Sequence, residues 1–202
     1  ARNRLASMKR ELEWNQNEKT KKIDELNAHV SPEVLFKTES GDLTITLAES
    51  DDPDGPANNA IAQFMALAQN GFYKGAYIYE VNDKLIKMGS TDEEGKEGAK
   101  QKIPYEKTHR NNVAGVVGMV RDFDPAVTAN PEAVEDAKYL NSADSRFYVC
   151  LQHVPEFDEK TIAIGTASGT LMTDAAKKLK KGTKITDVQI LRKRPHPYEP
   201  KT

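Results

Sequence analysis

The stretch Phe72-Tyr73-Lys74-Gly75-Ala76-Tyr77-Ile78-Tyr79-Glu80-Val81 decides how the rest of the chain is read. It follows an amphipathic segment, Ala57 to Asn70, which Gly71 can close as the left-handed residue after a helix. In that segment Ile61, Phe64, Met65 and Ala68 recur at i, i+3, i+4 and i+7, one apolar face suited to plugging the end of a barrel. Lys74-Gly75 marks a tight turn. The aromatic run after it reads as a strand, and Leu85-Ile86-Lys87-Met88 reads as another.

Working outward toward the N-terminus, the rhythm has period two. Val34 to Thr38 and Leu43 to Leu47, joined by Glu39-Ser40-Gly41-Asp42, predict a β-hairpin. Before it, residues 1–31 are dense in charge, and Ser31-Pro32 marks a boundary. Leu5, Met8 and Leu12 fall at helical spacing, as do Ile23, Leu26 and Val30, but Asn15-Gln16-Asn17 and Lys19 break the seam. A solvated helical arm is expected there, with docking into a larger assembly through residues 1–30 as the alternative.

Toward the C-terminus, Ser90 to Gly98 is a polar loop whose acids lack the spacing of a calcium loop, so no metal is expected. Ile103 to Glu106 and Val113 to Arg121 predict a strand pair. An insertion, 122–141, predicts a short helix with Asn130 as N-cap and Pro131 first. Phe147 to Leu151 is apolar and holds the lone cysteine, Cys150, expected as a buried structural thiol. A second amphipathic helix over Leu171 to Leu179 ends at Gly182, and Ile185 to Leu191 is the last strand. The tail, 193–202, is basic and rich in Pro, expected along the surface or mobile.

With formal net charge -2 and 30% charged residues, composition supplies no reason for nucleic-acid binding, and no apolar run is long enough for a membrane span. The charged arm and the absent initiator Met suggest a bacterial extracytoplasmic, periplasmic setting, with a cytoplasmic one left open.

Gln63 to Gly75 resembles the pattern N-F-x-x-L-A-x-x-G-F-Y-x-G of the cyclophilin family of peptidyl-prolyl isomerases. Gly115 to Arg121 is similar to the family's G-x-x-x-M-A-R/N strand. Ser142 to Val149 is similar to S-x-x-S-Q-F-F-I, and Val154 to Gly165 to W-L-D-G-x-x-x-V-F-G. The resemblance covers about Glu33 to Leu191. It implies a mainly β fold: a closed eight-stranded antiparallel barrel over residues 32–192, capped by two helices, with the helical arm outside it. No cofactor is implied.

The same resemblance implies an apolar proline pocket, an arginine that donates to the prolyl nitrogen as the amide twists, and a glutamine that holds the flanking carbonyl. Such donors act mainly in the transition state. Residue by residue, the arginine position falls on Glu80 and the glutamine position on Met88. Pocket residues survive in kind as Leu85, Ile86, Met119, Val120, Tyr148 and Phe157, while the rim tryptophan becomes Glu156 and the histidine Thr161. Arg121 or Arg146 could supply a substitute donor. The expected function is a polypeptide-binding or scaffold module, with a divergent, low-efficiency isomerase assisting protein folding as the alternative. An acidic rim at Glu80 and Glu156 predicts a preference for basic, proline-containing peptides.

Overall fold

The computed structural model describes residues 2–202 apart from 53–54, 124–128, 131–134, 159 and 174–178, and apart from the side chains of 2, 3, 5 and 6. Helix α1 (Arg2–Asn27) leads into the hairpin β1 (Glu33–Thr38) and β2 (Gly41–Leu47), then α2 (Asn58–Gln69). Strands β3 (Tyr77–Val81), β4 (Leu85–Ser90), β5 (Val116–Met119), β6 (Phe147–Cys150), β7 (Ile162–Ser168) and β8 (Ile185–Arg192) complete one antiparallel eight-stranded sheet, in the order β3-β4-β6-β5-β7-β2-β1-β8.

Local chemistry explains the elements that position the core. Alternate residues of β1 and β2 point inward, Val34 and Phe36 facing Leu43, Ile45 and Leu47, so the period-two pattern becomes one buried face. α2 ends as the glycine predicts. Gly71 has φ 72, and the amides of Gly71 and Phe72 bond back to Ala68 O (3.2 Å) and Leu67 O (3.0 Å). Phe36, Phe64, Tyr73 and Phe147 then meet inside the sheet with every pair of ring centroids 5.2–5.8 Å apart. Rings at such separations gain about 0.5–1.5 kcal/mol per pair beyond area burial.

Two expectations need correction, and two others fall largely outside the described residues. The barrel closes at one end only: Gly75 to Ile78 bond to Gly182 to Ile185, with Tyr77 bridging Lys184, but β3 and β8 form no continuous ladder beyond. Ile103 to Glu106 is not a strand, because Pro104 has no N–H to donate; only Ile103 bridges, to Ala143, and β5 pairs with β6 and β7 instead. In the insertion, the described helical turn is Ala137–Leu140, capped by the Asp136 side chain on Lys138 N at 2.9 Å; 131–134 lie outside the described residues. Likewise the second capping helix falls largely on 174–178, and what is described is a 3₁₀ turn at Thr170–Met172.

The tail is fastened rather than loose. Arg194 is buried and donates to Val30 O, Ser50 O and Glu49 O at 2.9–3.1 Å, while Tyr198, also buried, donates to Glu49 Oε2 at 2.9 Å. By contrast, Met8, Leu12, Ile23 and Leu26 of α1 are more than half exposed.

Candidate active-site groove

Because a strand alternates its side chains between faces, β4 and β6 each serve the interior and the groove at once. Opposite Val149 and Phe147 of β6 stand Ile86 and Met88 of β4, and all four are in the barrel core. Opposite Tyr148 stands Lys87, on the other face. A concave groove is lined there by Lys87, Met119, Val120, Arg121, Phe123, Tyr148, Phe157 and Thr161.

Tyr148 forms its floor. Its neighbour across the ladder is Gly118, where a Cβ would fall onto the Tyr148 hydroxyl. The missing side chain makes room for that oxygen, which donates to Asn112 Oδ1 at 2.6 Å and lies 2.6 Å from Thr161 Oγ1. Burial raises the phenol well above its ordinary range, so it stays a neutral donor. The Phe157 ring covers Tyr148 with centroids 5.0 Å apart. Open space at this floor is about 20 Å³, roughly the room one water needs.

The charged residues are paired. Lys87 Nζ lies 2.7 Å from Glu80 Oε2, the two being direct cross-strand partners, with the lysine side chain 22% exposed. Asn82 Nδ2 donates to the other Glu80 oxygen at 2.9 Å. Lys84 Nζ lies 2.6 Å from Glu156 Oε1, and that hydrogen bond lowers the Glu156 carboxyl. The two acids are thus each neutralised by a lysine, which removes the physical ground for a preference for basic peptides.

Of the residues singled out in the sequence, Met119, Val120, Tyr148, Phe157 and Thr161 come together in the groove, with Glu80 and Glu156 paired to lysines. Leu85 is buried but does not line it. Ile86 and Met88 are corrected: both face the core, so Met88 cannot stand where a substrate-holding side chain would. The residue of β4 that does face the groove is Lys87, which an ungapped match to the family motif passes over. Its signal was the lone charge in Leu85-Ile86-Lys87-Met88.

Neither arginine is available as a donor. Arg121 bonds Glu135 at 2.9 Å and Lys160 O at 2.9 Å, and its guanidinium stacks 4.5 Å from the Tyr105 ring centroid. Arg146 does not pair with Glu80: it holds Asp144, Asp122 and Gly95 O. Burial pushes the Cys150 thiol up to about 12, consistent with an inert core residue. In the loop after β4, Asp92 accepts the amides of Glu94, Lys96 and Glu97, so this carboxylate organises its own turn. Chemically, the groove offers an apolar floor beside one flexible ammonium.

A family model described as "Cyclophilin type peptidyl-prolyl cis-trans isomerase/CLD" matches residues 33–195. A peptidyl-prolyl cis-trans isomerase of Synechococcus elongatus is 23% identical over 160 residues, spanning 79% of this chain and 96% of the relative. A cyclophilin-type isomerase of Cryptosporidium parvum superposes with TM-score 0.62 at 18% identity, covering 81% of this chain and 99% of that one. The same protein solved in the presence of the dipeptide Ala-Pro gives TM-score 0.60, again at 18% identity, over 80% of this chain and 99% of that one. A cyclophilin from Hirschia baltica gives 0.57 at 14% identity, over 79% of this chain and 73% of that one.

Proposed function

The chain belongs to the cyclophilin-type peptidyl-prolyl cis-trans isomerase family, and from that premise we propose that its groove binds proline-containing polypeptide segments as a recognition or scaffold module with weakened isomerase chemistry. The observation that carries this reading is the lining itself. Met119, Val120, Tyr148 and Phe157 supply the apolar floor a pyrrolidine ring needs, while Glu80 replaces the donor that the family resemblance implies. A relative crystallised in the presence of Ala-Pro supports the ligand class. Seating a proline ring requires Phe157 or Phe123 to shift, since the floor leaves about 20 Å³. Such movement takes up part of the binding free energy, and affinity is correspondingly modest.

Lys87 favours a second reading, a low-efficiency isomerase. The barrier to turning the amide is about 18–20 kcal/mol because conjugation must break. A donor that bonds the nitrogen only once it is twisted lowers that barrier. Lys87 Nζ, oriented by Glu80, is a cation beside the apolar floor, with three rotatable donors instead of a rigid fork.

One experiment separates the readings: NMR exchange spectroscopy on an X-Pro peptide, with amide shifts followed in the same tube. Binding perturbs Tyr148 and Phe157; no perturbation at saturating peptide overturns both readings. Catalysed exchange that Lys87→Met lowers about a hundredfold, and that Lys87→Arg retains, establishes the isomerase. Binding with exchange at the uncatalysed rate leaves the recognition module.

A further inference from the structure

A cavity of about 700 Å³ shares no lining residue with the groove. It lies within the size range of small-ligand sites. The loop Glu49 to Asp51, the first turns of α2, the segment Pro104 to Glu106 and the tail from Arg194 to Lys201 enclose it.

Its walls are fixed in advance. At one end the tail is held by Arg194, which also pairs with Asp51 at 2.9 Å, and by Tyr198 on Glu49. At the other end the Asn59 side chain accepts from Lys201 N at 2.6 Å and donates to Lys201 O at 3.0 Å, imitating a strand pairing. Between these two anchors Pro197, Tyr198 and Glu199 line the cavity, and His196 lies against Tyr198 with ring centroids 4.6 Å apart. A preformed wall spares a ligand the cost of ordering it.

The lining is mainly apolar, through Ala62, Pro104, Pro197 and Tyr198, and its charge is unbalanced. Glu49, Asp51, Glu106 and Glu199 outnumber Arg194 and Lys201. Glu49 and Asp51 already have cationic partners. Glu106 has the electrostatic attraction of Lys201 alone, and its oxygens accept the backbone amides of Asn59 (3.0 Å) and Ala60 (2.7 Å), capping an α2 whose own N-cap, Ala57, has no side-chain bond to give. Burial raises this carboxyl, against the lowering effect of those two amides and of Lys201. Glu199 makes no ion pair among the described residues.

We propose that this cavity is a second binding site, separate from the groove, for a cation carried on an apolar stem, the chemistry of an arginine or lysine side chain. The stem would lie on the proline and aromatic surfaces, and the charged head would meet Glu106 and Glu199. The chemistry points away from an anion, given the sign of the lining. It points away from a metal ion too, because no group of His, Cys, Asp and Glu suited to one occurs among the described residues.

The test is an NMR titration of the full chain with blocked Gly-Arg-Gly, its norleucine counterpart and the free diamine cadaverine. The arginine peptide is expected to shift the amides of Asn58 to Ala62 and Arg194 to Lys201 saturably, and the norleucine peptide to leave them in place. Glu199→Gln, at a site with no structural bond to lose, is expected to weaken binding about two- to fivefold. Glu156→Gln, in the groove region, should leave it unchanged. Cadaverine matching the peptide would mark a free amine as the source of the cation, and a tighter peptide would mark a polypeptide; both support the site. Equal binding of the norleucine peptide, shifts confined to the surroundings of Tyr148, or an unaltered affinity in Glu199→Gln would each overturn the proposal.

Discussion

The two faces of β4 and β6 differ more than their shared backbone suggests. On the inner face Ile86, Met88, Phe147 and Val149 are fully or almost fully buried among other apolar side chains. One residue away on the same strands, Lys87 and Tyr148 face a groove held by an ion pair, a phenol hydrogen bond and a glycine that clears the way. Folding draws on the first face, and the proposed recognition on the second. A family fold can therefore persist at 23% identity, because substitutions on one face of a strand leave the residues of the other face packed.

The largest predicted effect breaks the inner face. Phe147→Ala removes the ring that Phe36, Phe64 and Tyr73 share, and truncations of this kind cost about 3–5 kcal/mol. Chemical denaturation should show that loss, whereas Lys87→Met on the opposite face should change stability by under about 1 kcal/mol. Equal losses would mean the faces are not separable. Gly118→Ala sharpens the comparison from the outer side. The new methyl meets the Tyr148 hydroxyl and ring, an overpacking expected to cost about 1–3 kcal/mol. It should displace Tyr148 and abolish peptide-induced shifts in the groove, with the interior aromatic signals unmoved.

How much of this could be read beforehand follows the same division. The hairpin, the end of α2 at Gly71 and the apolar face of α2 with Phe64 rest on local periodicity and turn chemistry, and these stand in the sequence. The facing of β4 has a fainter local signal, the lone charge of Lys87 among apolar neighbours, and pairing with β6 fixes it by setting Ile86 and Met88 inward. Ile103 to Glu106 has strand composition, and Pro104 overrides it. Most distant of all are the anchors of the tail and of α2. Arg194 finds Glu49 and Ser50 some 145 residues away, and Glu106 reaches Asn59 and Ala60 across 46–47 positions. No local pattern announces either contact.

The smallest predicted effect follows from that last contact and tests whether polar anchoring outside the core has a signature of its own. Burial is the largest influence on Glu106 and raises its carboxyl above the ordinary 4.5, against the lowering effect of the Asn59 and Ala60 amides. A carboxyl raised in the folded state binds its proton more tightly there than in the unfolded chain. Its contribution is therefore fully present below about pH 4.5 and is lost as pH rises through the folded value. Asp51, Asp92, Asp158 and Glu156 are lowered instead and lose stability as pH falls, so Glu106 runs against the general trend. Denaturant midpoints taken from pH 4 to 7 should rise more steeply with pH in Glu106→Gln than in the parent chain, since the opposing group has been removed. Phe147→Ala should lower every midpoint without altering the slope, because the ring cluster contains no group that titrates in that window. Parallel curves for Glu106→Gln and the parent would show that the helix-end amides, rather than burial, govern this carboxylate.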